Sequence, residues 1–339
     1  MTNIVFDERH PVRQVLRERR ARGGGVGRRD DPFKIGLAIE GGGMRGVVSA
    51  AMLTALEDLG YAPCFDEIYC CSSGAINGAY FMTGTTWFPL SIYYDDLTTG
   101  EFLDFRRLLR RQGPMNLTYV FDEVLTRRKP LDYEAIIASE QRLHVMVTDV
   151  DALRPLDIAE FDSAGDLRAA LLASTWLPLA ISGTATFRGS RAIDGGVLQF
   201  HPFRAARADG CTHILSLSTK PIGPLDRRVS VTNRLVARHL ERVRPGLGRG
   251  FLASTHQYVT EDRPFLAANR ANPTAEPAVL DLAPLPGTPE VRRHEMNPLA
   301  LFNGARAAYR TTYLALEGRD VVVIPRLTAH AVELVRNDS

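Results

Sequence analysis

The stretch KIGLAIEGGGMRGVVSAAMLTALEDLG, residues 34–60, decides the fold class of this chain. Its first seven residues form a nearly continuous apolar run, which is typical of a strand buried on both faces of a parallel sheet. After a glycine cluster, apolar residues recur at helical spacing until Gly60, a residue type that commonly ends helices. These helical positions are Val48, Met52, Leu53, Leu56 and Leu59. A strand, a glycine-rich turn and a helix in this order predict the first unit of an α/β domain.

Further strands and helices alternate along the remainder of the chain. Strands are predicted at residues 65–71, 144–150, 191–193, 213–219 and 279–284, and helices at residues 72–84, 166–175 and 297–316. The proline-rich residues 264–289 predict a loop that carries only the last strand. Because strands that alternate with helices favour parallel pairing, we expect an α/β three-layer sandwich with a largely parallel central sheet.

The length of 339 residues predicts one large domain with short appendages. We expect a basic N-terminal arm at residues 1–32, the α/β domain at residues 33–317 and a C-terminal extension at residues 318–339. A short helix carries most basic residues of the arm. A solvated, partly mobile arm is favoured over a basic surface for anionic lipid headgroups. The arginines of this helix are Arg13, Arg17, Arg19, Arg20 and Arg22.

The composition and charge limit the classes of partner. The formal net charge of +2 gives no reason to expect nucleic-acid binding. No secretory apolar region opens the chain, and the longest mostly apolar stretch, residues 169–181, is too short to span a bilayer. We therefore expect any contact with an anionic membrane to be peripheral. A basic helix near residues 229–244 is better explained as a solvated face than as a lipid-facing patch. Its arginines are Arg234, Arg238, Arg242 and Arg244.

The cysteines form neither a CxxC pair nor a cysteine–histidine cluster with zinc spacing. In a chain of this size they indicate reduced thiols in a cytoplasmic protein. We expect neither a metal nor a cofactor. The four cysteines are Cys64, Cys70, Cys71 and Cys211.

The glycine cluster GGGMRG at residues 41–46 follows a strand and opens a helix, and three interpretations are open. Its amides could hold a dinucleotide pyrophosphate, they could hold an oxyanion, or the glycines could serve a tight turn alone. A dinucleotide site requires an acidic residue at the end of the next strand. Asp66 and Glu67 precede that strand instead, and a serine ends it. This order favours acyl chemistry over nucleotide binding.

Ser72 lies between a predicted strand and a predicted helix, as the nucleophile of a nucleophile elbow does. The residues two before and two after it must be small, and they are Cys70 and Gly74. The first position is normally glycine, so the thiol side chain adds strain. Ser73 is a less suitable candidate for the nucleophile. A Cys71 thiolate would need a base, and no motif supplies one. The structural alternative is that Ser72 caps the following helix.

A serine nucleophile requires a base, and the histidines of the chain lie in no recognisable motif. His201, seven residues after Asp194, is better explained as a loop or core residue. Asp194 precedes Gly195 and Gly196, which allow the backbone to approach the elbow closely. Burial there would raise the pKa of the carboxyl group and make it a stronger base. On the DGG motif alone, a turn aspartate that bonds its own backbone is favoured.

Three motifs, GGGMRG at 41–46, CCSSGA at 70–75 and DGG at 194–196, occur in the order found in the patatin-like phospholipase family, which the chain resembles. The longer stretches FDEIYCCSSGAINGAY, HVMVTDVDAL and LLASTWLPLAISGTATFRGSRAIDGGV also resemble that family. The resemblance covers roughly residues 34–316. It implies a patatin-like fold for the α/β domain.

The resemblance also implies the roles of the site residues. It makes Ser72 the nucleophile and Asp194 its base, in a dyad without a catalytic histidine. The chain departs from the family at Cys70, which replaces a glycine, and at Phe200, where the family often has asparagine. Neither departure removes a catalytic atom, so we expect activity. The implied oxyanion hole consists of the loop at Gly42, Gly43, Met44 and Arg45 and the amide of Ser73, with Gly41 and Gly46 at the loop ends and Cys70, Gly74, Gly195 and Gly196 as supporting residues.

The resulting functional hypothesis is a lipid acyl hydrolase of the phospholipase A or esterase type that cleaves fatty-acyl esters through an acyl-enzyme. The expected partner is a lipid or another fatty-acyl ester. One alternative is an acyltransferase that uses the same dyad with an acceptor other than water. Another is a non-enzymatic nucleotide- or phosphate-binding protein that uses the glycine loop, and a third is an inactive scaffold, suggested by Cys70.

Overall fold

The computed structural model describes residues 6–23, 30–110, 112–223, 229–271, 274–324 and 326–327. Most of the predicted C-terminal extension lies outside these ranges, as do Gly24 and Gly25 after the N-terminal helix. The two domain boundaries therefore stay predictions.

Eight strands form one mixed sheet in the order β5-β6-β3-β2-β1-β7-β8, and β4 pairs with β3 beside this path. The strands β3, β2, β1, β7 and β8 are mutually parallel, whereas β4, β5 and β6 are antiparallel to their neighbours. The strands are β1 Ile35–Ile39, β2 Glu67–Cys71, β3 Arg142–Asp149, β4 Arg154–Ile158, β5 Ala185–Phe187, β6 Ser190–Asp194, β7 His213–Leu217 and β8 Ala278–Leu282.

Helices cover the sheet, and the predicted α/β sandwich with a largely parallel sheet is confirmed. The α-helices are α1 Pro11–Arg22, α2 Gly46–Asp58, α3 Ser73–Met82, α4 Trp87–Leu90, α5 Tyr133–Ile137, α6 Ala164–Ser174, α7 Phe203–Ala208, α8 Val231–Val243, α9 Leu247–Gln257, α10 Arg263–Ala271 and α11 Pro298–Glu317. Short 3-10 segments are Gly43–Arg45, Ala62–Cys64, Phe105–Arg110 and Gly195–Val197, and π-helical segments are Ile92–Asp96, Tyr119–Arg128 and Tyr258–Asp262.

The loop predicted at residues 264–289 is wrong in its first part, because α10 occupies residues 263–271. Pro264 lacks an amide hydrogen and its ring would clash with a carbonyl in the preceding turn of an ordinary α-helix. Here the wider π-helical turn Tyr258–Asp262 directly precedes α10 and changes the hydrogen-bond pattern at that point. The proline is thus accommodated without ending the helical run.

The N-terminal helix α1 is not a solvated arm, and that expectation is wrong for Arg13 and Arg19, whereas Arg22 is exposed. The side chains of Arg13 and Arg19 are only 1% and 3% exposed. Arg13 donates to the carbonyl of Leu316 at the end of α11, and Arg19 forms ion pairs with Asp31 and Asp66. Burial of paired arginines fastens α1 to the sheet. These two charges are therefore not free to bind lipid headgroups.

The sheet brings the glycine loop and the serine elbow to one edge. Strands β1 and β2 are parallel, with Ile39 opposite Cys70, so the residues that follow each strand leave the sheet side by side. Strand β6 reaches the same edge, where Asp194 lies opposite Val147 of β3. Three chain segments that are distant in the sequence therefore meet at the ends of their strands.

Candidate active site

Ser72 occupies a strained turn between β2 and α3, with φ 57° and ψ −136°. A residue with a side chain in such a conformation costs about 1–3 kcal/mol and persists only when its surroundings hold it there. The amide of Ser72 donates to the hydroxyl of Ser174 at 2.9 Å, and that hydroxyl donates to the carbonyl of Met146 at 2.7 Å. The Ser72 side chain does not cap α3. The capping alternative is therefore not what the structure shows.

Cys70 fits the elbow because its side chain points away from it. Its Sγ donates to the carbonyl of His144 on β3 at 3.1 Å. The opposite wall is Gly78 of α3, where an added Cβ would lie 3.5 Å from Sγ and 3.1 Å from the side chain of Ile39. A Cβ at Gly78 would make only an ordinary contact with this thiol, so the position of Sγ between β3 and α3 is compatible with the elbow. The elbow still needs Gly74, since a Cβ there would lie 2.7 Å from the carbonyl of Ile39.

Asp194 ends β6 and is buried, with 3% of its side chain exposed. Its Oδ1 accepts a hydrogen bond of 2.8 Å from the amide of Gly196, whereas Oδ2 has no partner among the described residues. Oδ1 therefore stabilises the turn after β6, and Oδ2 remains available to accept a proton. Gly195 is required for this geometry, because a Cβ there would lie 2.3 Å from the carbonyl of Met146.

The environment of Asp194 makes it a stronger base than an ordinary carboxylate. Burial raises the pKa of Asp194, as expected from the sequence, and interactions with the Ser72 hydroxyl, the Gly196 amide and the charge of Arg293 offset part of this effect. Ser72 and Asp194 line the same cavity. Ser72 affects the Asp194 pKa although Oδ2 forms no aligned hydrogen bond with it, as is common in unliganded sites.

The side chains of Ser73 and His201 form hydrogen bonds with residues other than Ser72 and Asp194. The hydroxyl of Ser73 accepts a hydrogen bond of 3.1 Å from the amide of Gly42 and thereby holds the glycine loop. His201 is fully buried, and its Nε2 lies 3.3–3.4 Å from the hydroxyls of Ser218 and Ser216. Burial lowers its pKa. This agrees with the interpretation of His201 as a core residue and favours Ser72 over Ser73 as the nucleophile.

The glycine loop leaves fewer amides free than the sequence suggests. Gly42 and Gly43 have positive φ values of 155° and 61°, which turn the backbone between β1 and α2. The Gly42 amide donates to Ser73, the Met44 amide to the carbonyl of Arg293 and the Arg45 amide to the carbonyl of Gly42. Of the five candidate oxyanion donors, only the amides of Gly43 and Ser73 lack a partner within the described part of the chain.

Cationic side chains surround the loop. Arg45 donates through Nε to Thr219 at 3.1 Å, and one of its terminal nitrogens is buried without a described partner. The ammonium of Lys220 lies 4.3 Å from the ring centre of Phe200 and 4.2 Å from that of Tyr258. Burial lowers the pKa of Lys220. The aromatic ring of Phe200 stacks on that of Tyr258 in this wall of the site, with the ring centres 4.4 Å apart.

Two cavities meet at Ser72. The larger, of about 540 Å³, is lined by both polar and apolar side chains and includes Asp194, the glycine loop and Arg293. The smaller, of about 70 Å³, is almost entirely apolar and includes Ile76, Leu125 and Leu177. A reactive group at Ser72 could therefore place an apolar chain in one cavity and a more polar portion in the other.

A cluster that could hold a metal lies outside the site, although the sequence suggested none. Ligand atoms of Glu67, His144 and Asp209 lie within 4.8 Å of one another. The ammonium of Lys34 donates to Asp209 at 2.6 Å and lies 3.5 Å from Glu67, and His144 bonds both Glu67 and Asp157. These cations already compensate the carboxylates.

Ser174, Gly78 and Arg293 are supporting residues that sequence reasoning missed. Ser174 lies inside a helix pattern, Gly78 inside another, and Arg293 in a loop without periodicity. None belongs to a motif. Ser174 and Arg293 contact Ser72 and Met44, which are distant along the chain, whereas Gly78 contacts Cys70 of the preceding strand.

The fold and the serine–carboxylate arrangement define the class of α/β proteins that carry a serine at a nucleophile elbow. A family model described as Patatin-like phospholipase matches residues 37–207, about half of the chain, from β1 to α7. The chain belongs to the patatin-like phospholipase family, and the resemblance seen in the sequence is confirmed. The protein is thus a lipid acyl hydrolase in general terms, with a lipid substrate. Curated proteins give no significant match.

None of the helices in the described ranges combines the length and the hydrophobicity needed to cross a membrane.

Proposed function

We propose that the protein cleaves fatty-acyl esters of lipids, as a phospholipase A or esterase does, with Ser72 as the nucleophile and Asp194 as the general base. The observation that carries this proposal is the Oδ2 of buried Asp194, which has no hydrogen-bond partner in the described part of the chain and lies in one cavity with the strained Ser72. Strain at Ser72 is maintained by Ser174 and Met146, and such strain concentrates at functional sites.

In the first step, Asp194 accepts the hydroxyl proton of Ser72 as Oγ forms a bond with the ester carbonyl carbon. The carbonyl oxygen becomes an oxyanion, which the free amides of Gly43 and Ser73 can bind. When the tetrahedral intermediate collapses, the bond to the alcohol oxygen breaks. That oxygen takes the proton from Asp194 and leaves as the alcohol, and the acyl group remains on Ser72.

In the second step, Asp194 removes a proton from water as the water oxygen attacks the acyl carbon. Collapse of the second intermediate breaks the bond to Oγ, and the proton returns from Asp194 to Ser72. The products are a free fatty acid and the original enzyme. The smaller apolar cavity provides a place for the acyl chain during both steps.

The test is covalent labelling of the whole protein with a fluorescent alkyl phosphonate, followed by peptide mapping. We expect label on Ser72 that disappears in Ser72→Ala and decreases in Asp194→Asn. Ser190→Ala is the matched control and should retain labelling, since Ser190 is exposed and lines neither of the two cavities at Ser72. An unlabelled but folded wild-type protein would exclude the proposed chemistry.

An acyltransferase with the same dyad is the second candidate. The larger cavity of about 540 Å³ leaves room beside Ser72 for an acceptor alcohol, amine or thiol. Product analysis with and without such acceptors separates the two activities, because only transfer yields a new acylated product. A cytoplasmic location, suggested by four buried cysteines that form no disulfide bond within the described ranges, is part of the same proposal.

A further inference from the structure

Exposed apolar side chains border the larger cavity on the 3-10 segment Phe105–Arg110. Phe105 is 65% exposed and Leu109 is 88% exposed. Phe105 also lines the cavity, so this segment lies where the cavity opens to the outside. Leu179, from the loop after α6, is also exposed and also lines the cavity. Large apolar side chains that are exposed together at a cavity opening indicate an interaction site.

Helix α8 contributes a second set of exposed apolar side chains. Val231 is 73% exposed and Leu235, one helical turn later, is 58% exposed. Thr232, Asn233 and Val236 of the same turn line the cavity. One side of α8 therefore borders the cavity, and the adjacent side presents apolar residues outward.

Unpaired arginines accompany these apolar residues. Arg106, Arg234 and Arg238 are exposed, and none forms an ion pair with a described residue. On α8, Arg234 and Arg238 lie one turn apart and next to Val231 and Leu235 on the helix surface. We call the combined set the mouth surface. It consists of Phe105, Arg106, Leu108, Leu109, Leu179, Val231, Arg234, Leu235 and Arg238.

We propose that the mouth surface docks the protein on an anionic lipid bilayer. Its apolar side chains would enter the boundary between headgroups and acyl chains, and its arginines would contact the lipid phosphates. This placement holds the cavity opening against the membrane, so that a lipid passes to Ser72 without crossing water. The proposal rests on the proposed function for the nature of the substrate, but docking itself requires no catalysis.

Charge favours a bilayer over a second copy of this chain as the occupant. In a two-fold dimer the same patch faces itself, so a surface carrying Arg106, Arg234 and Arg238 would face a surface with the same positive charges. An anionic membrane offers the opposite charge and an apolar layer beneath it. A solvated face on the helix near residues 229–244 does not account for the exposed Val231 and Leu235. We therefore replace that interpretation with membrane docking.

The experiment measures flotation of the full chain with vesicles of non-hydrolysable diether lipids. One set contains phosphatidylcholine alone and the other includes phosphatidylglycerol. We expect wild-type protein to float with the anionic vesicles, and the paired variant Arg234→Gln/Arg238→Gln to bind about 10- to 30-fold more weakly, since each arginine near an anionic surface contributes about fivefold. Leu108→Ser/Leu109→Ser should weaken binding by at least about tenfold, because both side chains leave the interface.

The matched control is Val322→Ser/Val323→Ser, which removes two exposed apolar side chains outside the mouth surface and should leave flotation unchanged. Equal binding of all variants, or no binding of wild-type protein to anionic vesicles, would overturn the proposal. Concentration-dependent dimerisation that Leu108→Ser/Leu109→Ser abolishes would overturn it in favour of a second copy.

Hydrolysis of a soluble short-chain ester is measured in parallel. If wild-type protein does not hydrolyse the ester, the proposed function is contradicted, whereas the flotation result is unaffected. Retained ester hydrolysis in the docking variants shows that they are folded.

Discussion

The backbone carbonyl of Arg293 accepts a hydrogen bond of 3.0 Å from the amide of Met44, within the glycine loop. The same carbonyl lies 2.8 Å from the position that a Cβ would take on Gly43. The loop before α11 therefore packs directly against the glycine loop. This contact removes one candidate oxyanion donor and leaves the adjacent Gly43 amide free.

Gly43→Ala should reduce kcat/KM for ester hydrolysis by at least about tenfold, since moving one oxyanion donor commonly costs that much or more. The new Cβ meets the carbonyl of Arg293, and φ of 61° disfavours any side chain. Gly84→Ala is the matched control: its φ is 64°, but nothing lies within 4 Å of the added Cβ. Gly84→Ala should lose about 1 kcal/mol of stability from the positive φ alone, and Gly43→Ala should lose more because its Cβ also meets a backbone atom. Equal activity of the two would contradict a role for the loop geometry.

Arg293→Gln should move the acidic limb of the pH–activity profile to higher pH. The reaction needs Asp194 ionised, so activity rises with pH through the pKa of this carboxyl group. Burial already raises that pKa, and the charge of Arg293 opposes the increase. Removing the charge therefore raises the pKa further. The neighbouring Arg292→Gln serves as the control and should leave the limb in place, as judged from kcat/KM measured across the acidic range.

Ile76→Trp should change acyl-chain preference, because Ile76 lines the smaller apolar cavity. A bulkier ring there shortens the space for a chain attached to Ser72. We expect kcat/KM for a dodecanoate ester to fall at least about tenfold relative to that for a butyrate ester, since each buried CH₂ contributes about 0.8 kcal/mol. Leu179→Trp alters only the larger of the two cavities and should not change the ratio. A similar loss in both variants would place the acyl chain elsewhere.

His144 should make stability depend on pH in the alkaline range. Burial alone would lower its pKa, but hydrogen bonds to Asp157 and Glu67 raise the pKa of His144 to about 9. The protonated ring therefore stabilises the fold. This contribution, about 1–3 kcal/mol, is complete below about pH 6.5 and is lost as pH rises through about 9.

His144→Gln should accordingly be less stable than wild type near pH 6, and the difference should shrink near pH 10, as measured by urea unfolding. Asp157→Asn tests the partner and should also weaken the pH dependence. A stability difference that grows with pH would contradict the assignment of the charge to His144.

Prediction from the sequence succeeds where a requirement is local. The run at residues 34–60 predicts β1 and α2 within about two residues, because apolar periodicity follows the geometry of a single element. The sequence also predicts that small residues are needed near Ser72 and Asp194. The structure gives the reason at Gly74 and Gly195, where a Cβ would meet backbone atoms. The roles of these residues in catalysis stay predictions until the labelling and kinetic experiments are done.

Prediction fails where a contact joins distant elements. Arginines of α1 resemble a solvated cluster in the sequence, yet Arg19 is buried against Asp31 and Asp66. The burial energy of a charge depends on its partners, and neither carboxylate has a fixed spacing from the arginine. The helix at residues 263–271 was missed for a related reason. Proline usually ends a helix, but the π-helical turn before Pro264 allows the helical run to continue.

The amino-acid sequence by itself determined the elements that carry the site, namely β1, α2, β2, α3 and the short strand that ends at Asp194, because each depends on the backbone preferences of neighbouring residues. Only the tertiary structure decided that the Cys70 thiol donates to the carbonyl of His144, that the carbonyl of Arg293 accepts from the Met44 amide, and that exposed apolar residues border the cavity opening. These properties depend on which elements pack together. Packing is a property of the whole chain, and no short segment of sequence encodes it.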